Sequence, residues 1–136
     1  MKLMLITSRS FYSRIPQIKN ELEARAHEIK LPNCYGKVFD ENYLKSMTKE
    51  EYIQMKGPLL RKNRENITSQ DGVLVLNFEK EGSENYVGGA TFLEIYTAWD
   101  LEKKIFFYNP LPKGVFYDEL VGMNPTIIYG DLNLVK

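Results

Sequence analysis

The sequence holds one cysteine and one histidine among its 136 residues. A single cysteine excludes an intramolecular disulfide and any zinc site built from several cysteines, and one histidine leaves structural metal binding poorly supported. The formal net charge is zero, because 18 lysines and arginines balance 18 aspartates and glutamates. Broad attraction to a nucleic acid polymer or to an anionic membrane is therefore not expected.

Long apolar runs are absent as well, and none approaches the roughly 18 residues that indicate a membrane span. The apolar start, residues 1–6, stops at Thr7 without a small-residue cleavage site, so we interpret it as a strand and not as a signal peptide. These features predict a reduced, cytoplasmic protein. With 43% apolar and 26% charged residues, the composition and length predict one globular domain over residues 1–136.

The glycine-rich phosphate-binding motifs do not occur. The sequence contains neither G-x-x-x-x-G-K-[ST] nor G-x-G-x-x-G, so P-loop nucleotidases and dinucleotide-dependent oxidoreductases are not favoured. No organic cofactor and no metal ion is expected.

Apolar runs alternate with helical patterns along the chain. The predicted strands are Lys2–Thr7, Glu28–Leu31, Val73–Asn77, Lys104–Asn109 and Thr126–Tyr129, and the predicted helices are Pro16–His27, Lys49–Gln70, Thr91–Lys103 and Tyr117–Gly122. A long loop is expected over Asn33–Thr48, and a kink or break at Gly57-Pro58. The order predicts a three-layer α/β sandwich around a central, mostly parallel five-stranded sheet, of the flavodoxin-like or Rossmann-like kind.

Ligands of such folds bind beyond the carboxyl ends of the strands, so the loop after the first strand is a candidate site. Ser8, Arg9 and Ser10 predict contacts to a phosphate or sugar, because hydroxyls and arginines suit anions. Phe11 or Tyr12 is able to stack on a base. An ordinary solvated turn with one aromatic ring in the core explains the same residues equally well.

Polar side chains also end the third and fourth predicted strands. Asn77 is placed to hold a sugar hydroxyl or the base, and Asn109 is placed to contact the same ligand. Both asparagines also suit a simple strand-end turn. Tyr86, in the loop between them, is expected either to close over the ligand or to pack on the surface.

The stretch from Gly88 to Glu94, Gly-Gly-Ala-Thr-Phe-Leu-Glu, is the most informative part of the sequence. Gly88 and Gly89 allow close approach of the backbone to a ligand. Thr91 and Glu94 have the spacing of a capping box, which would explain both residues by helix formation alone. The functional alternative is that Glu94, kept ionised by the helix dipole, faces the cleft as a nucleophile. A carboxylate suits attack on an anomeric carbon, because the oxocarbenium-like transition state is positively charged.

These segments resemble the nucleoside 2-deoxyribosyltransferase superfamily, which includes the 2′-deoxynucleoside 5′-phosphate N-hydrolases. The resemblance lies in residues 71–77, in residues 88–94 and in Lys103-Lys104-Ile105-Phe106, and covers the central half of the chain. It implies that Glu94 forms a glycosyl-enzyme ester and that the first loop contacts the substrate. It also implies a homo-oligomer, such as a dimer. The implied activity is hydrolysis or transfer at the N-glycosidic bond of a nucleoside or (deoxy)nucleoside 5′-monophosphate.

Three positions depart from the family pattern G-T-x-x-E-x-G-x-A. Ala90 and Tyr96 stand where the family has glycines, and Gly88 stands where transferases often carry an acidic residue. Tyr96 and Gly88 keep open the alternative of a non-catalytic nucleotide-binding or sensing module with the same fold. A flavodoxin-like electron carrier, which would need flavin, is a third hypothesis.

Overall fold

The computed structural model describes residues 1–37 and 41–136. Within these residues the strands are β1 (Lys2–Thr7), β2 (Glu28–Lys30), β3 (Gly72–Leu76), β4 (Lys104–Phe107) and β5 (Thr126–Ile127). The α-helices are α1 (Ile15–Glu23), α2 (Glu41–Ser46), α3 (Lys49–Thr68), α4 (Gly89–Asp100) and α5 (Tyr117–Met123). Short 3₁₀ helices lie at Arg9–Arg14 and Leu132–Leu134.

The described strands form one parallel sheet in the order β2-β1-β3-β4-β5. The central pair runs in register from Leu3 opposite Gly72 to Thr7 opposite Leu76. This is the flavodoxin-like order, in which the direction of winding reverses between β1 and β3. The predicted α/β fold with a parallel five-stranded sheet is therefore confirmed.

The two faces of the sheet are covered by different elements. Leu3 and Leu5 of β1 point to one face, where they pack with α1 and with residues near the end of the chain. Met4 and Ile6 point to the other face, where buried residues of α3, α4 and α5 cover them. Burial on both faces explains why the central strands read as unbroken apolar runs.

The helices differ from the predicted ones in three places. α1 ends at Glu23, before His27. α3 is not broken at Gly57-Pro58 but continues through Pro58. A proline removes one N–H bond from a helix, and the remaining bonds of this 20-residue helix keep it continuous. Part of the loop predicted over Asn33–Thr48 forms α2, and residues 38–40 of that loop lie outside the described residues.

The start of α4 also corrects a prediction. The helix begins at Gly89, with Gly88 as its N-cap and no side-chain capping bond. Thr91 is 4% exposed and already inside the helix, so Thr91 and Glu94 do not form a capping box. Glu94 consequently lies beyond the first turn, where the helix dipole has little effect on its charge.

In the described part of the chain, no helix combines the length and the apolar character that crossing a membrane requires.

Candidate active site

A cavity of about 130 Å³ opens at the carboxyl edge of the sheet, beside the end of β1. Its wall contains Thr7 of β1 together with Arg9 and Tyr12 of the following 3₁₀ helix. Helix α4 contributes Ala90 and Glu94. The cavity thus lies next to the point where the winding reverses, which is where ligands bind in open α/β sheets.

The opposite wall of the cavity comes from α3 and from the loop that follows β2. The α3 residues are Lys56, Leu59, Leu60 and Asn63, and the loop residues are Pro32, Asn33 and Cys34. Asn33 Nδ2 donates to Asn63 Oδ1, and Asn66 Nδ2 donates to Asn33 Oδ1. This chain of amides fastens the loop to α3 and so fixes the wall.

Glu94 is the acidic side chain among the residues that line this cavity. Within the described ranges, its carboxyl takes part in no hydrogen bond and no ion pair. Burial raises the pKa of Glu94 to about 8, and the positive charge of Lys56 acts in the opposite direction. A desolvated carboxyl that faces a cavity without a partner is typical of a functional site.

Tyr12 faces Glu94 across the cavity. Burial raises the pKa of Tyr12 to about 12, the charges of Cys34 and Glu94 add to this effect, and Arg9 opposes it. The ring stands edge-on to Tyr35, with the ring centroids 5.6 Å apart. The phenol therefore stays protonated at neutral pH and can donate a hydrogen bond into the cavity.

A second cavity, of about 90 Å³, adjoins the first. Four residues line both cavities, namely Arg9, Cys34, Lys56 and Leu59. The rest of the second wall is largely apolar and consists of Leu44, Tyr52 and Met55. The cationic side chains of Arg9 and Lys56 therefore border both the cavity at Glu94 and this largely apolar second cavity.

The structure separates the residues that were predicted in the loop after β1. Arg9 lines both cavities, whereas Ser8 caps the 3₁₀ helix by accepting a hydrogen bond from the backbone N–H of Ser10 at 3.4 Å. Ser10 is exposed. Phe11 is 5% exposed and stands edge-on to Phe78 in the core, with centroids 5.5 Å apart. The expectation that Phe11 stacks on a base is wrong, because its ring is already packed inside the protein.

Asn77 is fully buried at the end of β3. Its Nδ2 donates to the carbonyl oxygens of Asn109 at 3.1 Å and Pro110 at 2.9 Å, and its Oδ1 accepts from the backbone N–H of Asn109 at 2.9 Å. Asn109 Nδ2 donates in return to the carbonyl of Asn77 at 2.9 Å. Both amide hydrogens of Asn77 are therefore engaged. The two asparagines thus fasten the loops after β3 and β4 to each other, and full burial of Asn77 corrects the prediction that it contacts a ligand. The ligand contact of Asn109 stays a prediction, because Asn109 is only half-buried.

Tyr86 lines a separate cavity of about 840 Å³ between residues 82–87 and 110–116. Its ring is edge-on to Phe11, with centroids 6.4 Å apart, and Lys80 Nζ lies 4.7 Å from its centroid. Gly88 lies close to this tyrosine, since a Cβ at Gly88 would be 3.3 Å from Tyr86 Oη. Gly89 faces open space. Along the chain, the two glycines lie between Val87, which lines the large cavity, and Ala90, which lines the cavity at Glu94.

Sequence reasoning missed the contribution of α3, above all Lys56. The sequence did contain a signal for this contribution, since positions 56, 59, 60 and 63 have the spacing that places residues on one face of a helix. The predicted break at Gly57-Pro58 separated position 56 from the other three positions, so the shared face was not recognised. In the described residues, no three His, Cys, Asp or Glu side chains are grouped so as to hold a metal ion.

No protein-family model matches the sequence, and no curated protein is significantly similar to it. Solved structures do share its fold. The 2-deoxyribosyltransferase of Bacillus psychrosaccharolyticus aligns over 99% of this chain and 90% of its own, with a TM-score of 0.65 and 14% identity. The CMP N-glycosidase BcmB of Clostridium botulinum aligns over 98% and 93%, with a TM-score of 0.53 and 15% identity.

A flavoenzyme also shares the fold. The NAD(P)H:acceptor oxidoreductase FerB of Paracoccus denitrificans aligns over 93% of this chain and 74% of its own, with a TM-score of 0.50 and 12% identity. At the level of fold, this chain is similar to a 2-deoxyribosyltransferase and to a CMP N-glycosidase. At these identities the likeness describes architecture, and the chemistry has to be argued from the site.

Proposed function

We propose that this protein cleaves the N-glycosidic bond of a nucleoside or (deoxy)nucleoside 5′-monophosphate, with Glu94 as the nucleophile. The observation that carries the proposal is the carboxyl of Glu94, desolvated and facing a cavity at the winding reversal of the sheet. Two proteins of the same fold, named as a 2-deoxyribosyltransferase and a CMP N-glycosidase, support this class of reaction.

The reaction has two steps. First, one oxygen of ionised Glu94 bonds to the anomeric carbon from the face opposite the base, and the bond from that carbon to the base nitrogen breaks. The base leaves with the electron pair and takes a proton from water. Next, a water oxygen bonds to the anomeric carbon and loses a proton to the hydroxide left by the first step, and the Glu94 oxygen departs with its electron pair, which regenerates the carboxylate. A second base in place of water would give transfer.

Other groups around the cavity suit binding of the sugar and phosphate. Arg9 is placed to make charge-assisted hydrogen bonds to a phosphate. The protonated phenol of Tyr12 can donate to a sugar hydroxyl. At the start of α4, no side chain caps the helix, so its first amides are available to an anionic oxygen. Ser8, Ser10, Gly88 and Gly89 stay predicted substrate contacts around this rim.

The test is a panel of deoxynucleosides and their 5′-monophosphates, with chromatography of the released base. Wild-type protein is expected to release base from at least one member, and Glu94→Gln is expected to lower kcat on the order of a thousandfold. Glu119→Gln, an exposed carboxyl on α5, is the matched control and should keep full activity. Undiminished turnover by Glu94→Gln would refute the nucleophile.

The dependence of kcat/KM on pH tests the role of Glu94 within the reaction. A nucleophile must be ionised, and burial raises the pKa of Glu94 to about 8. kcat/KM should therefore rise with pH and level off above about pH 8. A profile that falls through the same range would instead make Glu94 a general acid.

A non-catalytic nucleotide-binding module is the second candidate. The raised pKa of Glu94 favours it, because a carboxyl with a pKa of about 8 is mostly protonated at neutral pH and a protonated carboxyl is a poor nucleophile. In that case nucleotides would raise the melting temperature without any release of base, since a ligand that binds the folded state stabilises it by mass action.

A further inference from the structure

We propose that Lys56 is a positioning residue that holds Glu94 in its charged, nucleophilic form, so that α3 and α4 each supply one half of a functional pair. This inference rests on the proposed function, because it takes Glu94 as the nucleophile. The two side chains line the same cavity from helices that pack against each other.

Lys56 is set apart from the other lysines of α3. Lys49 and Lys62 are exposed, and Lys62 Nζ forms an ion pair with Glu65 at 3.2 Å. Lys56 is half-buried and has no carboxylate within ion-pair distance among the described residues. Glu94 is the acidic side chain that shares its cavity. A half-buried ammonium and a half-buried carboxyl in one small cavity interact more strongly than they would in water.

The other ionisable groups that face Glu94 are few. The 3₁₀ helix after β1 contributes Arg9 and Tyr12, the loop after β2 contributes Cys34, and α3 contributes Lys56. Tyr12 stays neutral because its pKa is about 12. Lys56 is the group whose charge lowers the pKa of Glu94 against the effect of burial. Without Lys56, the effect of burial on the carboxyl meets less opposition, and a smaller fraction of Glu94 is ionised at neutral pH.

Kinetics across pH separate this role from a contact between Lys56 and the substrate phosphate. In Lys56→Met, the pH midpoint of kcat/KM should move upward, and kcat/KM at pH 7 should fall about three- to tenfold for nucleoside and monophosphate alike. Activity should recover at higher pH, and Lys56→Arg should restore the wild-type profile. Lys62→Met, on the exposed side of the same helix, is the matched control.

Two kinetic results would overturn the inference. One is an unchanged midpoint in Lys56→Met. The other is a rise in KM confined to the monophosphate, which would make Lys56 a phosphate contact. If Lys56→Met does not fold, as judged by circular dichroism, Lys56→Gln removes the same charge with a polar side chain and takes its place.

A titration that needs no turnover distinguishes failure of this inference from failure of the proposed function. NMR of labelled glutamate carboxyl carbons, with Glu94 assigned from its absence in Glu94→Gln, reports the midpoint of Glu94 directly. If the midpoint of Glu94 shifts upward in Lys56→Met but the wild type has no glycosidase activity, the proposed function is refuted and the role of Lys56 toward Glu94 is supported. An unmoved midpoint in an active enzyme would refute the pair alone.

Discussion

Asn77 and Glu94 both lie at the carboxyl edge of the sheet, yet their surroundings differ. Asn77 makes three hydrogen bonds to Asn109 and Pro110, whose loop it holds in place. Glu94 has a raised pKa, faces a cavity and has no hydrogen-bonding partner in the described part of the chain. A polar residue at a strand end is thus not a ligand contact by position alone. What matters is whether the fold has already satisfied its hydrogen bonds.

The largest effect on stability is expected at Asn77. Asn77→Ala leaves two carbonyl oxygens and one N–H of the 109–110 segment without their partner, so the free energy of unfolding should fall by about 3 kcal/mol. Urea denaturation measures this change. Asn109→Ala removes one side-chain hydrogen bond and should cost about 1 kcal/mol.

A structural role for Asn77 would be contradicted if Asn77→Ala kept the stability of the wild type and raised KM. Asn77 would then bind substrate and not the neighbouring loop. Activity measured well below the melting temperature should stay within about threefold of the wild type, since Asn77 is fully buried and both of its amide hydrogens are engaged.

Glu94→Gln should change stability in the opposite direction. The ordinary pKa of 4.5 applies to the unfolded chain and a pKa of about 8 to the folded protein. The folded state therefore holds this proton more firmly, and wild-type stability falls as pH rises between these values. Glutamine does not titrate, so Glu94→Gln should be more stable than the wild type by a few kcal/mol at pH 8.5 and should nearly match it at pH 4.5. Equal stabilities at both pH values would show that the carboxyl is not desolvated.

The smallest expected effects distinguish two arginines of one 3₁₀ helix. Arg9 lines the cavity, whereas the guanidinium of Arg14 lies 3.9 Å from the ring centroid of Phe78. Arg9→Met should raise KM for a monophosphate about tenfold and leave KM for the free nucleoside unchanged. Arg14→Met should leave both KM values unchanged and lower stability by about 0.5–1 kcal/mol. If Arg14→Met raised KM for the monophosphate and Arg9→Met did not, the phosphate site would lie outside the Glu94 cavity.

The fold could be predicted from the sequence because it depends on local patterns of apolar and polar residues. The apolar run Lys2–Thr7 becomes β1 with the same bounds, and the run after Asp71 becomes the buried central strand β3. Alternation of strands and helices then leaves few arrangements, since parallel strands need right-handed helical crossovers. Glu94 was predicted because its segment resembles a known motif, and its catalytic role stays a proposal.

The residues around Glu94 were harder to predict because their contacts cross the chain. Lys56 reaches the cavity from α3, before the central strand, and Asn77 finds its partners 32 and 33 residues further along. Spacing in the sequence does not report such contacts. The capping-box interpretation failed for a related reason, because Thr91 is a buried residue within the helix, which starts two residues earlier at Gly89.

Cys34 is the sole cysteine of the chain, and it lines both cavities beside Glu94. A maleimide or other thiol-directed dye will therefore attach to the wild-type protein at this one place. A dye on Cys34 would report by fluorescence when a molecule binds in the cavity at Glu94 or leaves it. No engineered cysteine is needed for this measurement.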